Sequence, residues 1–288
     1  MAIDRDKLLN WPFEDTIQTY GFKDVILYAL GVGLGADPVD RQQLNYVYEK
    51  NLSVLPTFPV VLGHPGPWNA NPESGIDRKK VVHGEQTVEI HRPFPVSATV
   101  RGVNRIKDVI DKGEGKGALV YTERKIYDES TGELLATLNA TSFCRANGGF
   151  GGPSGPVVKP HTLPDRKPDH QIELSSIPQA ALLYRLNVDY NPLHIDLDVA
   201  AAAGFKQPIL HGLCSFGMAA HAILKAVCNY DATRLKKITT RFSSPVYPGE
   251  KIMFDIWQDG DQVSYRASVV DRAVKVLDNG YAELRSAQ

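Results

Sequence analysis

The residues best suited to chemistry lie between Tyr184 and Asp196, YRLNVDYNPLHID, and in the run PILHGLCSFG at Pro208 to Gly217. A carboxylate, Asp189, and an imidazole, His194, stand five residues apart around an Asn-Pro turn. Pro192 bars Asn191 from helical geometry, so the chain bends there and can aim both side chains at one spot. A carboxylate and an imidazole converging on one substrate make an acid–base pair. Spacing alone also allows a plainer use, with Asp189 capping the turn and His194 packing at a helix start. Gly212 adds a third element, because it falls at the expected N-terminus of a helix. Backbone N–H groups there lack intrahelical partners, and the helix dipole favours negative charge. A glycine lets a carbonyl oxygen approach such a backbone closely, and losing one oxyanion donor costs enzymes about 3 kcal/mol of barrier. The alternative is a glycine kept only for helix packing.

These residues need a scaffold, and the composition supplies one. At 288 residues the length suggests about two domains, and 43% hydrophobic with 23% charged residues is ordinary for a folded globular chain. Lys plus Arg total 32 against Asp plus Glu 33, a net charge of -1, so no global field gathers nucleic acid or anionic membrane. Neither is an expected partner. Three cysteines (Cys144, Cys214, Cys228) with no CxxC spacing argue against a disulfide framework and a structural zinc site. A reducing compartment fits that count. The sequence shows no signal-type or membrane-spanning run and no C-terminal SKL-type address, so the cytoplasm is the expected location, with a peroxisome as the alternative in a eukaryote.

Glycine and proline crowd the stretch from Gly148 to Pro168 and read as a linker, dividing the chain into 1–147, 148–168 and 169–288. Ahead of it, alternating runs (VVHGEQTVEI, VSATVRGVNRI, GALVYTERKIYD, ELLATLNATSFCRA) predict four antiparallel strands. After it, KKITTRFSSPVY, EKIMFDIWQ, QVSYRASVVD and VKVLDNGYAELR predict four more. Ser176, Pro178 and Gln179 read as a capped opening for a helix through Ala181, Leu182 and Tyr184, and a short helix is expected over Asp198 to Ala203. The run from Gly212 to Val227 is apolar nearly all round and predicts a long helix buried against the sheet. That is a hotdog arrangement. In the first half Asp24 to Leu30 predicts a helix, but Val54 to Trp68 holds prolines and glycines where a central helix belongs. The fold class expected is therefore α+β, a double hotdog whose first repeat has a shortened or degraded central helix.

YRLNVDYNPLHID followed by PILHGLCSFG resembles the signature of the (R)-specific 2-enoyl-CoA hydratases, also called hydratase 2 or MaoC-like dehydratases. The resemblance continues through VHGEQ at Val82 to Gln86, DKGEG at Asp111 to Gly115, GGFGG at Gly148 to Gly152 and RFSSPVYPG at Arg241 to Gly249. It looks most like the two-domain form found as the hydratase unit of peroxisomal multifunctional enzymes. It implies that the second repeat keeps the catalytic segment and that the first makes room for the acyl chain. It further implies that Asp189 and His194 hold and activate the water, Asn191 helps orient it, and the Gly212 N–H receives the thioester oxygen. His83, Gly84, Lys112, Tyr190, Pro192, Leu193 and Phe242 match positions that bind the acyl-CoA, Lys112 near CoA phosphate and Phe242 by apolar packing. The implied chemistry uses no metal or redox cofactor, and the implied assembly is a homodimer.

Other signals carry less. GVGLG at Gly31 to Gly35 follows a helix rather than a strand and lacks GxGxxG spacing, so it reads as a helix stop. His194, Asp196 and His211 can be drawn as metal ligands, but Asp196 and Asp198 suit a helix start. Ser215 is no nucleophile elbow, and Cys214 in an apolar helix reads as packing. A dehydratase acting on a steroid side-chain CoA or an acyl-carrier-protein thioester is the enzyme alternative, with a hotdog thioesterase more remote. A non-catalytic acyl-CoA binding protein is the alternative of another class.

Overall fold

The computed structural model describes residues 2–187 and 189–286; the expected outer limits of the two halves, residues 1 and 288, lie outside that range. All eight predicted strands form, and each half gains a fifth. The first half contains β1 (Thr16–Tyr20), β2 (Val81–Ile90), β3 (Ala98–Asp111), β4 (Ala118–Asp128) and β5 (Leu134–Cys144). The second contains β6 (His170–Ser175), β7 (Leu235–Phe242), β8 (Lys251–Asp259), β9 (Gln262–Val269) and β10 (Val274–Leu284). β1 and β6 are the strands the pattern did not reveal. Both are short edge strands with few fully buried positions, so the period-two signal of a half-buried strand is faint in them.

One antiparallel sheet runs in the order β1-β3-β4-β5-β2-β7-β10-β9-β8-β6. Each half places its first strand outermost and its second innermost, so the two halves repeat one topology and meet across β2 and β7. That seam pairs Glu85 with Arg241 and Glu89 with Lys237. A 3.0 Å ion pair between Arg241 and Glu85 and a 2.8 Å hydroxyl contact between Thr87 and Thr239 fix its register.

Helices cover the two halves unequally. Short α1 (Arg5–Leu9), α2 (Phe22–Gly31) and short α3 (Arg41–Leu44) belong to the first half; α4 (Ala180–Tyr184), α5 (Leu197–Ala202) and α6 (Gly212–Val227) belong to the second. Residues 214–224 of α6 are all buried, as an all-round apolar helix requires. Fully burying side chains such as Phe216, Ile223 and Leu224 contributes about 1.5–3 kcal/mol each. Among the described residues, the first half has no such helix. A single 3-10 turn, Phe58–Val61, sits where one would lie, and Gly63 (φ +58°) then brings the chain against β3. A Cβ on Gly63 would come 2.7 Å from the Gly102 backbone, so only glycine permits that approach.

One local expectation is corrected. Ser176 does not cap α4: its hydroxyl donates to the Glu250 carbonyl and accepts the Gly249 N–H, and the helix begins at Ala180 behind Gln179, which makes no side-chain cap bond. The polar spacing was right, but tertiary partners on the turn before β8 outcompeted the local cap. Residues 148–168 form neither helix nor strand. They are tied down by Asp111, whose carboxylate accepts the N–H groups of Gly149 and Gly151, and by His161, which reaches Ser264 at 2.8 Å.

Candidate active site

The bend forecast at Asn191 is present. Asn191 accepts the Leu193 N–H at 3.1 Å and caps a 3-10 turn over Pro192–His194, while its own N–H donates to the Asp189 carboxylate at 3.3 Å. The turn aims His194 inward, where its residue is only 8% exposed. The chain entering α6 holds the ring from the other side: Leu210 N–H donates to Val246 at 2.7 Å, and the Ile209 carbonyl accepts from His194 Nδ1 at 2.8 Å. That bond fixes the proton of the neutral ring on Nδ1 and leaves Nε2 as a lone-pair acceptor. Burial lowers the His194 pKa from its ordinary value against the opposing pull of the Ile209 bond and of Asp189.

Asp189, His194 and His211 bring one ligand-type atom each within 4.8 Å of one another. His211 is the member whose place in the acid–base site sequence reasoning missed. It is 1% exposed, its ring stacks on His194 with centroids 3.6 Å apart, and its Nε2 donates to the Asp189 backbone carbonyl at 3.2 Å. Its Nδ1 is buried without a partner. Burial first, and His194 second, push its pKa down to about 4, so it is a neutral ring at physiological pH. The signal available in the sequence was position: His211 directly precedes the glycine that opens α6.

This trio differs from the metal set drawn from sequence, since Asp196 is not in it. Asp196 caps α5, accepting the N–H groups of Asp198 and Val199. The trio is also a poor metal cradle. A shared ion needs imidazole lone pairs meeting at about 2 Å, yet these two rings stack with only 26° between their planes, so their in-plane lone pairs do not converge. The arrangement suits a small polar molecule held between a carboxylate and an imidazole.

Gly212 opens α6 beside this trio, and no side chain caps the helix start. Among the described residues, the N–H groups of Cys214 and Ser215 return to the His211 carbonyl, while that of Gly212 takes no backbone acceptor. A Cβ at position 212 would meet the Phe242 ring at 3.2 Å, so the glycine leaves room between ring and helix start. Phe242 lies at the end of β7, and the seam stacks the His83 ring against it at 4.7 Å. Gly84 sits at a register shift in β2, where a Cβ would press on the Thr141 carbonyl at 3.1 Å. His83 Nε2 donates to the Glu85 carbonyl, and burial lowers its pKa to about 4. The seam between the halves therefore carries His83 and Phe242 to Gly212.

The remaining expected residues are spread more widely. Pro192 is exposed and Leu193 half-buried on the turn, and Tyr190 is 58% exposed with the Arg185 guanidinium 5.4 Å above its ring. Lys112 stands exposed on the β3–β4 turn and makes no side-chain contact with the cluster among the described residues. Cys214 is buried, and burial raises its thiol pKa; the Sγ donates to the Gly31 carbonyl at 3.2 Å, which is packing rather than nucleophilic duty. A recess lined by Leu52, Ile90, Phe94 and Arg285 holds none of the site residues.

Residues 18–146 match the MFE-2 hydratase 2 N-terminal domain family, and residues 159–280 match the MaoC-like domain family. The chain is 39% identical to "Enoyl-CoA hydratase 2, peroxisomal" of Arabidopsis thaliana, covering 97% of this chain and 95% of that protein. It is 40% identical to "Enoyl-CoA hydratase ChsH3" of Mycobacterium tuberculosis, covering 94% of each. Among solved structures, the MaoC-like dehydratase of Phytophthora capsici superposes with a TM-score of 0.86 at 36% identity, over 98% of this chain and 99% of that one. The full-length peroxisomal multifunctional enzyme type 2 of Drosophila melanogaster gives 0.80 at 32% identity, over 97% of this chain and 50% of that one.

Proposed function

The chain belongs to the hydratase 2 family of MaoC-like enzymes, and from that premise we propose that it adds water reversibly to trans-2-enoyl-CoA to give the (3R)-hydroxyacyl-CoA. It is an enoyl-CoA hydratase, a hydro-lyase acting on acyl-CoA thioesters. One observation carries the residue assignment: a buried imidazole with a free Nε2, a carboxylate and an uncapped helix start opening on a glycine converge at one place.

The water lies between Asp189 and His194, oriented with help from Asn191. As its oxygen attacks C3, His194 Nε2 accepts the proton, and the C2–C3 π electrons move toward the thioester carbonyl. The Gly212 N–H donates to the enolate-like oxygen that develops. The dyad then returns a proton to C2, so over one turnover it takes up one proton and gives up one. Burial of the His194 ring favours its neutral form, which has Nε2 free to accept. No metal or cofactor enters this scheme.

We assign catalysis to 169–288 and acyl-chain accommodation to 1–147, with 148–168 linking them. His83, Gly84 and Phe242 line the thioester side of Gly212, Tyr190, Pro192 and Leu193 flank the catalytic turn, and Lys112 meets CoA phosphate. A homodimer is the proposed assembly, with the free edges of β1 and β6 available for pairing. Three unpaired buried cysteines fit a reducing compartment, the cytoplasm or a peroxisome, and no helix among the described residues is long and apolar enough to cross a membrane.

Replacing His194 with alanine separates the enzyme from a mere binder of acyl-CoA. The hydratase should lose about a hundredfold or more in rate while still binding a saturated acyl-CoA. Unchanged turnover in His194→Ala would overthrow the assignment.

A further inference from the structure

The strand order is the same from either edge inward, and β2 and β7 meet antiparallel, so a pseudo-two-fold axis crosses the seam where Thr87 pairs with Thr239. A separation of 152 residues relates these two threonines. The same separation relates Pro56 to Pro208 and Pro93 to Pro245. The axis carries Phe242 onto Ile90, and it carries the entry to α6, Pro208 to Gly212, onto the segment from Pro56 to Val60. The active site at one end of the seam therefore has a counterpart position at the other, beside Ile90 and Pro56.

That position holds a cavity. A recess of about 200 Å³ is walled there by Leu55, Pro56, Ile90 and Phe94 of the first half and by Ala232 of the second. It has lost the means to react. Pro59 stands at the position of His211 and Val60 at that of Gly212, and the Val60 N–H donates to the Thr57 carbonyl at 3.1 Å. A place to bind is left without the pair that hydrates.

One charge in its wall has no anion. Arg285, half-buried just beyond β10, lines this recess and an adjoining open one that shares Ile90. Its guanidinium donates to the Ile90 carbonyl of the first half and, at 2.8 Å, to the Thr233 carbonyl of the second. Two of five N–H groups are occupied in this way, and no carboxylate pairs with Arg285 among the described residues. The neighbouring cations are engaged, Lys236 with Glu283 at 3.3 Å and Arg92 with Glu133 at 3.9 Å. An apolar recess with one uncommitted guanidinium suits an apolar chain ending in one negative charge. A phosphate-rich head group would need several free cations, whereas a carboxylate matches a single guanidinium in charge and geometry. The volume is below the roughly 300–1,000 Å³ of sites that enclose drug-sized ligands, so the chain is short or medium in length.

We propose that this recess is a second ligand site, which holds the carboxylate of a short- or medium-chain fatty acid on Arg285 and its chain against Leu55, Ile90 and Phe94. The site stands apart from the reacting pair, and its occupation does not depend on the hydratase reading.

The test is calorimetry on the full chain with butyrate, hexanoate, octanoate and decanoate, each beside the alcohol of the same length. At one length the acid should bind once per chain and about tenfold or more tighter than the alcohol. Arg285→Met should bring the acid to the level of the alcohol, with Arg285→Lys between. Ala232→Phe fills the recess without touching the charge and should abolish binding of both, while circular dichroism shows that each variant is folded. Excess saturated acyl-CoA should leave the binding of the acid in place. Absence of binding at every length, equal affinity for acid and alcohol in the wild-type protein, or unaltered binding in Ala232→Phe would overturn the proposal. Displacement of the acid by acyl-CoA would overturn it too, because the two ligands would then share one site.

Discussion

The two halves share a strand order and differ in what lies on the sheet. The second half carries α6, sixteen residues long, with Gly212 at its start and the Asp189–His194 turn packed against that start. The first half carries the turn Phe58–Val61 and a glycine pressed on β3. A buried helix does two things at once: it fills the core and presents an uncapped N-terminus to the site. Among the described residues, the first half has no buried helix of that length to present such a start. One topology thus carries two different coverings.

The most severe way to break that contrast is to remove the carboxylate. Asp189→Asn keeps the shape and should lower kcat about a thousandfold with little change in KM, measured by steady-state hydration. The glycines of α6 come next. Gly212→Ala puts a Cβ 3.2 Å from the Phe242 ring beside the oxyanion position and should cost about tenfold or more in kcat with little loss of stability. Gly217→Ala, whose Cβ would fall 2.5 Å from Val32, should do the reverse, costing about 1–3 kcal/mol of folding free energy in denaturant titration while sparing the rate of the folded fraction.

His211 sharpens the comparison further, as a positioning residue acting through both members of the pair. Phenylalanine there keeps the stack on His194 but loses the bond to the Asp189 carbonyl, and asparagine keeps a donor but loses the stack. Each should lower kcat about tenfold at nearly constant KM. The groups facing this ring are His194, Asp189, Tyr184 and Arg185. His211→Asn admits water to His194, relieving the burial that depresses its pKa, so the acid limb of the rate profile should move to higher pH. His211→Phe keeps the site dry and should leave the limb in place. A purely structural role would move neither limb.

Acid should also weaken the fold. His83, His211 and His221 are held neutral, with pKa values lowered by burial to about 4 against about 6.5 in an unfolded chain. The unfolded state therefore binds more protons between those values, and stability should fall as pH drops from about 6.5 to about 4. A series of denaturant midpoints across that range checks the sign. The smallest effect is expected at Cys214, where alanine removes one thiol bond to Gly31 and should change the rate by less than about twofold.

Much of this structural contrast was legible in the sequence, because the relevant signals are local. All-round hydrophobicity over Gly212 to Val227 marks a buried helix, prolines between Val54 and Trp68 mark its absence, and Asn-Pro marks the turn. The partners of β1 and β6 were hidden because edge strands with few buried positions carry almost no alternation. His211 was hidden for a different reason. A stacked ring is defined by neighbours distant in the chain, here Asp189 and His194. The Ser176 cap failed likewise, taken over by Gly249 and Glu250.

The central claim is that the second half's carboxylate and imidazole hydrate an enoyl thioester at the start of α6. The direct measurement follows the conjugated enoyl-thioester absorbance on adding purified protein to trans-2-enoyl-CoA, with chiral analysis of the alcohol and Asp189→Asn in parallel. Rapid loss yielding the (3R)-alcohol, abolished in the variant, is the predicted result. Equal loss in wild type and Asp189→Asn, or a (3S)-alcohol, would contradict the account.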